Sequence, residues 1–292
     1  MQRTGFGGRH GNKSARTAGK VRIADKSSNF LNLVRSIGGD DLLFCVDALS
    51  IDDVADGAVV TNWNDAWGVW NTYFTEGTNK PALGVYNGKR ALSFDGSNDF
   101  MASNAVVSQL NSKSKLSIAY FLKNDRTTDT FGYVLEMDTN YYASDAFIMG
   151  HNSNKADYNV YFGLHEDSTY NIGGIEGGDA YLDANLPLAY GVVFDRSALG
   201  TGVNKSVKPY INGVPTPDAS IYSADNEADM GDAFASNKTL YLGKRHSDSS
   251  GHMLGSLGCV VAIMRDLTAG EMSRLSAAML DRWNVGNGAP LK

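Results

Sequence analysis

Between Leu116 and Phe194 the apolar residues recur at every second position, and this period limits what the chain can fold into. Leu116, Ile118, Tyr120 and Leu122 form one such run, Tyr158, Val160, Phe162 and Leu164 a second, and Leu188, Tyr190, Val192 and Phe194 a third. Successive side chains of a strand point to opposite faces, so each run presents one apolar face, as a half-buried strand does. The runs are short and end in turn residues. Asn87-Gly88 and Asn212-Gly213 sit between apolar flanks, where two-residue hairpins need positive φ at both central positions; Asp95-Gly96 is a third candidate turn. Glycine makes up 32 of 292 residues, about 11% against a usual 7% or so, as many tight turns require. No alternation of strands with helices points to a parallel sheet, so the expectation is one all-β antiparallel sandwich.

One segment departs from period two. Thr268-Ala269-Gly270-Glu271 is a capping box, and Met272, Leu275, Met279 and Trp283 follow at helical spacing. The pattern predicts a single C-terminal helix from about 269 to 283 that closes the sandwich.

Charge divides the chain in two. Residues 1–38 carry Arg3, Arg9, Lys13, Arg16, Lys20, Arg22, Lys26 and Arg35 against Asp25 alone, a net +7, which leaves −13 for residues 39–292 of a chain whose total is −6. Residues 1–38 hold six glycines and show little apolar periodicity before Phe30, so they are expected to form a flexible basic anchoring arm, with Gly38-Gly39 as hinge and the sandwich domain over 39–292. Arg3, Arg9, Lys13, Arg16, Lys20 and Arg22 are the expected anchoring cations. A +7 arm suits phosphates, but Phe6 is the one aromatic before Phe30, so base stacking is poorly served and an acidic protein surface is the preferred partner over nucleic acid. The start is basic without a following apolar h-region, which reads as no secretory leader, and no apolar run of about 18 residues offers a membrane span.

Cys45 and Cys259 both lie in apolar runs, without zinc spacing, and read either as two buried thiols or as one disulfide joining the first and last strands. Catalytic motifs are incomplete. Glu136-Met137-Asp138 begins the Glu-x-Asp-x-Glu strand pattern of some glycan hydrolases, but Asn140 and Tyr141 stand where the second Glu belongs. Gly7 to Ser14 lacks the glycine before Lys13 that a phosphate loop needs, and His10, His151, His165, His246 and His252 form no HExxH pair. The chain is therefore read as no enzyme. No cofactor is expected; calcium is the metal considered, with Asp95, Asn98 and Asp99 as hard oxygen donors, though the same residues serve equally as a solvated turn.

Leu43 to Ala48 with Trp63-Asn64-Asp65, Ala91 to Phe100, Tyr210-Ile211-Asn212-Gly213-Val214, Tyr241-Leu242-Gly243, Gly255 to Ile263, and Leu267 to Trp283 together resemble the bacterial and phage branch of the laminin-G-like, concanavalin A-like lectin domains. The likeness runs through most of residues 42–284. It departs at Ala66-Trp67-Gly68-Val69-Trp70-Asn71, where the family tends to run through Ser-Gly-Asn, and at Cys259, where the family often carries an acid. The resemblance implies a jelly-roll sandwich. It also implies glycan contact through exposed rings, for which Trp67, Trp70, Tyr73, Tyr141 and Tyr142 are the candidates, with subunit contact as their other use. A basic arm on such a globule resembles the plan of tailed-phage virion proteins, a head decoration, fibre, tail or baseplate part that docks on other virion proteins, forms a homo-oligomer and faces host glycan. The alternatives are a free lectin or adhesin and a glycan depolymerase.

Overall fold

The computed structural model describes residues 24–66, 73–76, 79–103, 107–126, 132–138, 146–151, 160–166, 169–175, 187–199, 203–216, 221–222, 233–234, 238–245 and 251–285. In chain order these give α1 (Ala24–Gly38), β1 (Leu42–Asp47), β2 (Asn62–Asn64), β3 (Tyr73–Glu76), β4 (Ala82–Tyr86), β5 (Lys89–Asp95), β6 (Met101–Ser103), β7 (Lys115–Asn124), β8 (Gly132–Asp138), β9 (Ala146–His151), β10 (Val160–Glu166) and β11 (Thr169–Ile175). They continue with β12 (Pro187–Asp195), α2 (Val203–Ser206), β13 (Val207–Ile211), β14 (Val214–Pro215), β15 (Ile221–Tyr222), β16 (Thr239–Leu242), β17 (Leu254–Ile263) and α3 (Ala269–Arg282).

The strands form two antiparallel sheets. The first runs β14-β13-β12-β7-β17-β5-β4, with β1 beside β17; the second runs β15-β11-β10-β9-β8-β16-β6-β3-β2. β17 holds the first sheet together: β7 pairs along one side of it, while its first half pairs with β5 and its second half with β1. The alternation seen in the sequence points where expected. Leu116, Ile118, Tyr120 and Leu122 of β7, Leu188, Tyr190, Val192 and Phe194 of β12, and Val160, Phe162 and Leu164 of β10 all lie in the core between the sheets. Asn87 and Asn212 take φ of 48° and 51°, each followed by a glycine of positive φ, the two-residue hairpin turns that Asn-Gly favours.

The other face of the first sheet is equally dry. Ala119, Phe121, Ala189, Val193, Val261 and Ile263 meet Met272, Leu275, Met279 and Trp283 of the closing helical layer in a second core. Buried on both faces, β12 reads as nine consecutive buried residues. Trp283 stacks on Phe121 with centroids 4.8 Å apart and planes 15° from parallel. Gly258 makes room for it, since a Cβ there would stand 2.5 Å from the indole. The capping box at Thr268 and Glu271 is formed as expected. Glu271 also takes two bonds from Arg265, at 2.7 and 3.1 Å, which hold its carboxyl down at about 2. Both outer strands of this sheet are blunted: residues 57–58 bond the free side of Leu83 in β4, and β14 ends on Pro215, which has no N–H to offer.

The arm expectation is corrected at its end. Residues 24–38 are helix, not extended chain, and Phe30, Val34 and Ile37 are buried against α3 and β1. Arg265 seals the helix end by donating to the Ile37 carbonyl at 2.6 Å. Arg3, Arg9, Lys13, Arg16, Lys20 and Arg22 lie outside the described residues. Cys45 and Cys259 are free thiols, fully buried, on neighbouring strands β1 and β17, and burial pushes both well above the usual thiol range. Among the described residues no helix is long and apolar enough to cross a membrane.

One polar cluster interrupts the inter-sheet core. His151 of β9 receives or gives a hydrogen bond at 2.7 Å through Nε2 to the Tyr120 hydroxyl, and Tyr190 packs against both rings. Burial drags the imidazole down to about 3, so it is neutral in the fold.

Two outcomes follow from this packing. Removing residues 1–23 should leave the unfolding midpoint unchanged, whereas removing 1–38 should lower it sharply, because three buried side chains worth roughly 1.5–3 kcal/mol each go with it; equal midpoints for the two truncations would contradict the docked helix. Below the ordinary histidine value of about 6.5, the unfolded chain takes a proton that folded His151 refuses, so stability should fall by about 1.4 kcal/mol per pH unit from that group as pH drops. Urea unfolding at pH 6.5 and 5 should show a steeper loss in the wild type than in His151→Leu, and matching slopes would rule the effect out.

Candidate functional site

With one face of the first sheet against α1 and α3 and the other in the core, the outer face of the second sheet lies outside both cores. Leu135 and Met137 of β8 point inward, so Glu136 between them points outward. It stands opposite Tyr241 of β16 on one side and Ile148 of β9 on the other, and is only 1% exposed. Beyond Tyr241 comes Ala102 of β6, and Phe100 lies just ahead of that strand. On β8 the register shifts between Tyr133 and Leu135, a bulge that keeps Tyr133 on the outer face; opposite it Gly150 supplies the space, since a Cβ there would be 3.2 Å from the tyrosine ring.

Cations cover these rings. Lys244 Nζ sits 3.7 Å from the centre of the Phe100 ring and 5.5 Å from that of Tyr241, and the Arg245 guanidinium lies 5.7 Å from the Tyr133 ring. Gly243 directs them there. Its φ is +83°, its N–H bonds the Val134 carbonyl at 3.0 Å, its own carbonyl accepts from Met253 at 2.8 Å, and any Cβ would run into the Phe94 ring. Burial draws Lys244 below the usual lysine range, while the Glu136 carboxylate pulls the other way.

Beside this patch the sandwich end is polar. Arg126 donates to the His252 carbonyl, and His252 is held below its ordinary value by burial, then by Lys244 and Arg126. Asp95, Asn98 and Asp99, the calcium candidates, build a turn: Asp95 Oδ1 accepts from the backbone of Ser97, Asn98 and Asp99 at 2.8, 3.1 and 3.4 Å, and Asp99 Oδ2 accepts from Asp95 N at 3.0 Å. Those backbone bonds hold the Asp95 carboxyl below the usual carboxylate range in spite of its desolvation. Among the described residues no group of three or more His, Cys, Asp or Glu could hold a metal ion.

The ring candidates from the sequence fall elsewhere. Trp67, Trp70, Tyr141 and Tyr142 lie outside the described residues, as does the Tyr73 side chain, whose backbone pairs with Asn64 on β2. Sequence reasoning reached Glu136 but not Phe100, Tyr133, Tyr241, Lys244 and Arg245, because no local motif joins positions so far apart in the chain. Chemically, half-buried rings with an ammonium and a guanidinium beside them can stack on the apolar face of a sugar and donate to its oxygens.

The sequence matches no protein-family model and no curated protein. Solved structures of similar fold include the binding domain of botulinum neurotoxin serotype D, at TM-score 0.57 and 12% identity over 85% of this chain and 53% of that one. Another is the receptor-binding domain of botulinum neurotoxin C/D mosaic serotype, at TM-score 0.56 and 12% identity over 82% and 52%. The chain thus spans about half the length of these neighbours. At such identity the likeness is one of fold alone: an antiparallel β-sandwich.

Gly243→Ala should cost ~1–3 kcal/mol of stability by forcing a side chain into a left-handed position, and should move the Lys244 ε-methylene resonances away from their ring-shifted values. Unchanged stability together with unchanged shifts would show that the turn does not position the cation.

Proposed function

We propose that this chain is a non-catalytic, lectin-like recognition module mounted on a larger particle, a structural component of a tailed-phage virion. Its basic leader docks on other virion proteins and the outer face of its second sheet meets host glycan. The observation that carries this reading is the two-sidedness of the domain. α1 and α3 seal the outer face of the first sheet, and the chain enters α1 at Ala24 directly from the basic residues 1–23. The ring and cation patch lies on the opposite side, on β8, β16 and the approach to β6.

The leader holds six cations and no acid, so the rest of a chain of net charge −6 carries −12, and a leader that folded back would compete with any acidic mount. Non-catalytic action is favoured by the unfinished acid motif at Glu136 and by the burial of that carboxylate at 1% exposure, where access by a water nucleophile is poor. One of the fold neighbours is a receptor-binding domain, which agrees with a display role.

Particles purified on a density gradient should contain the full chain and lack a variant without residues 1–23, while both forms should give the same signals on a glycan array and Tyr241→Ala should weaken them. Equal incorporation of the truncated form would overturn the anchoring role, and an array without signal for either form would overturn the glycan role.

A further inference from the structure

The outer-face patch contains a feature that sugar stacking does not explain: its best ring faces are already taken. Tyr241 stands on β16 and Phe100 just ahead of the adjacent strand β6, tied by the Met101–Leu242 and Ala102–Tyr241 register, so the sheet fixes the two walls. Lys244 comes from the turn after β16 and lays its ammonium 3.7 Å from one ring centre and 5.5 Å from the other. Glu136, strand neighbour of Tyr241 and 1% exposed, supplies a carboxylate on the same face. Two π faces around one ammonium, with a buried carboxylate on the same sheet face that acts on it electrostatically, is an arrangement suited to a ligand ammonium group. Here the walls belong to the sheet, while the cation is delivered by a turn.

We propose that the Phe100–Tyr241 slot is a binding site for a ligand ammonium group and that Lys244 is its tethered occupant, displaced when an amine-bearing ligand such as an amino sugar enters. The exchange is one cation for one cation, so the slot keeps its charge balance and a neutral sugar gains nothing there. The −12 of residues 24–292 favours approach of a cation over that of an anion. The proposal builds on the reading of this face as the recognition surface, yet it stands or falls on ammonium binding, whatever a glycan array shows.

The test uses the full chain, with tetramethylammonium and glucosamine as probes, glucose as the neutral control and sodium chloride to hold ionic strength constant. By calorimetry, Lys244→Ala should bind tetramethylammonium at least about tenfold more tightly than the wild type, equivalent to ~1.4 kcal/mol. Lys244→Arg, which refills the slot, should stay near wild type, and Lys244→Ala with Tyr241→Ala should lose the gain. Glucosamine should bind Lys244→Ala in preference to glucose. In the wild type, where folding is not in question, tetramethylammonium should return the ring-shifted Lys244 ε-methylene resonances toward ordinary lysine values. Affinity unchanged by emptying the slot, a gain that survives loss of Tyr241, or wild-type resonances indifferent to the probe would each overturn the proposal.

Discussion

Arg282 reaches from the last turn of α3 to Asp47 at the end of β1, and both side chains are almost completely buried. Taking two charges out of water is expensive, and leaving either one alone there would cost about 3–5 kcal/mol. Asp47 shows the strain of that position: burial raises its carboxyl even though Arg282 and the Leu49 N–H pull it down. Only one seating of α3 on the first sheet satisfies both charges. The same guanidinium lies 5.0 Å from the Phe30 ring, so the pair also fixes where α1 rests. First strand, last helix and N-terminal helix thus meet at one ion pair whose partners are 235 residues apart in sequence.

From that seating the rest of the architecture follows. A helical layer fixed on the outer face of the first sheet leaves β7, β12 and β17 with almost no solvent face, and the ring and cation patch lies on the second sheet. Its outer face can therefore carry a buried glutamate and cation-covered rings without disturbing the core. α1 and α3 lie on the opposite side, against the first sheet.

The strand pattern was legible because burial repeats locally: Leu116 to Leu122 and Leu188 to Phe194 announce their inward faces without help from distant residues. The Asn-Gly turns and the Thr268–Glu271 box were legible for the same reason, their chemistry being complete within four residues. α1 was not, although Phe30, Val34 and Ile37 stand at spacings of four and three, a helical stripe. Surrounding glycines and cations masked it, and such a stripe is stable only when a partner face exists, here built from α3 and β1. The slot was illegible. Phe100, Glu136, Tyr241 and Lys244 come from separate strands and a turn, and only sheet register brings them together.

The central claim is that α1 belongs to the folded body, docked on α3 and β1. Native-state hydrogen exchange of the backbone amides of residues 30–38 in the full chain tests it most directly. The account requires these amides to exchange as slowly as those of α3 and to lose protection together with them. Exchange of residues 30–38 at the rate of an unstructured chain, with α3 still protected, would contradict it.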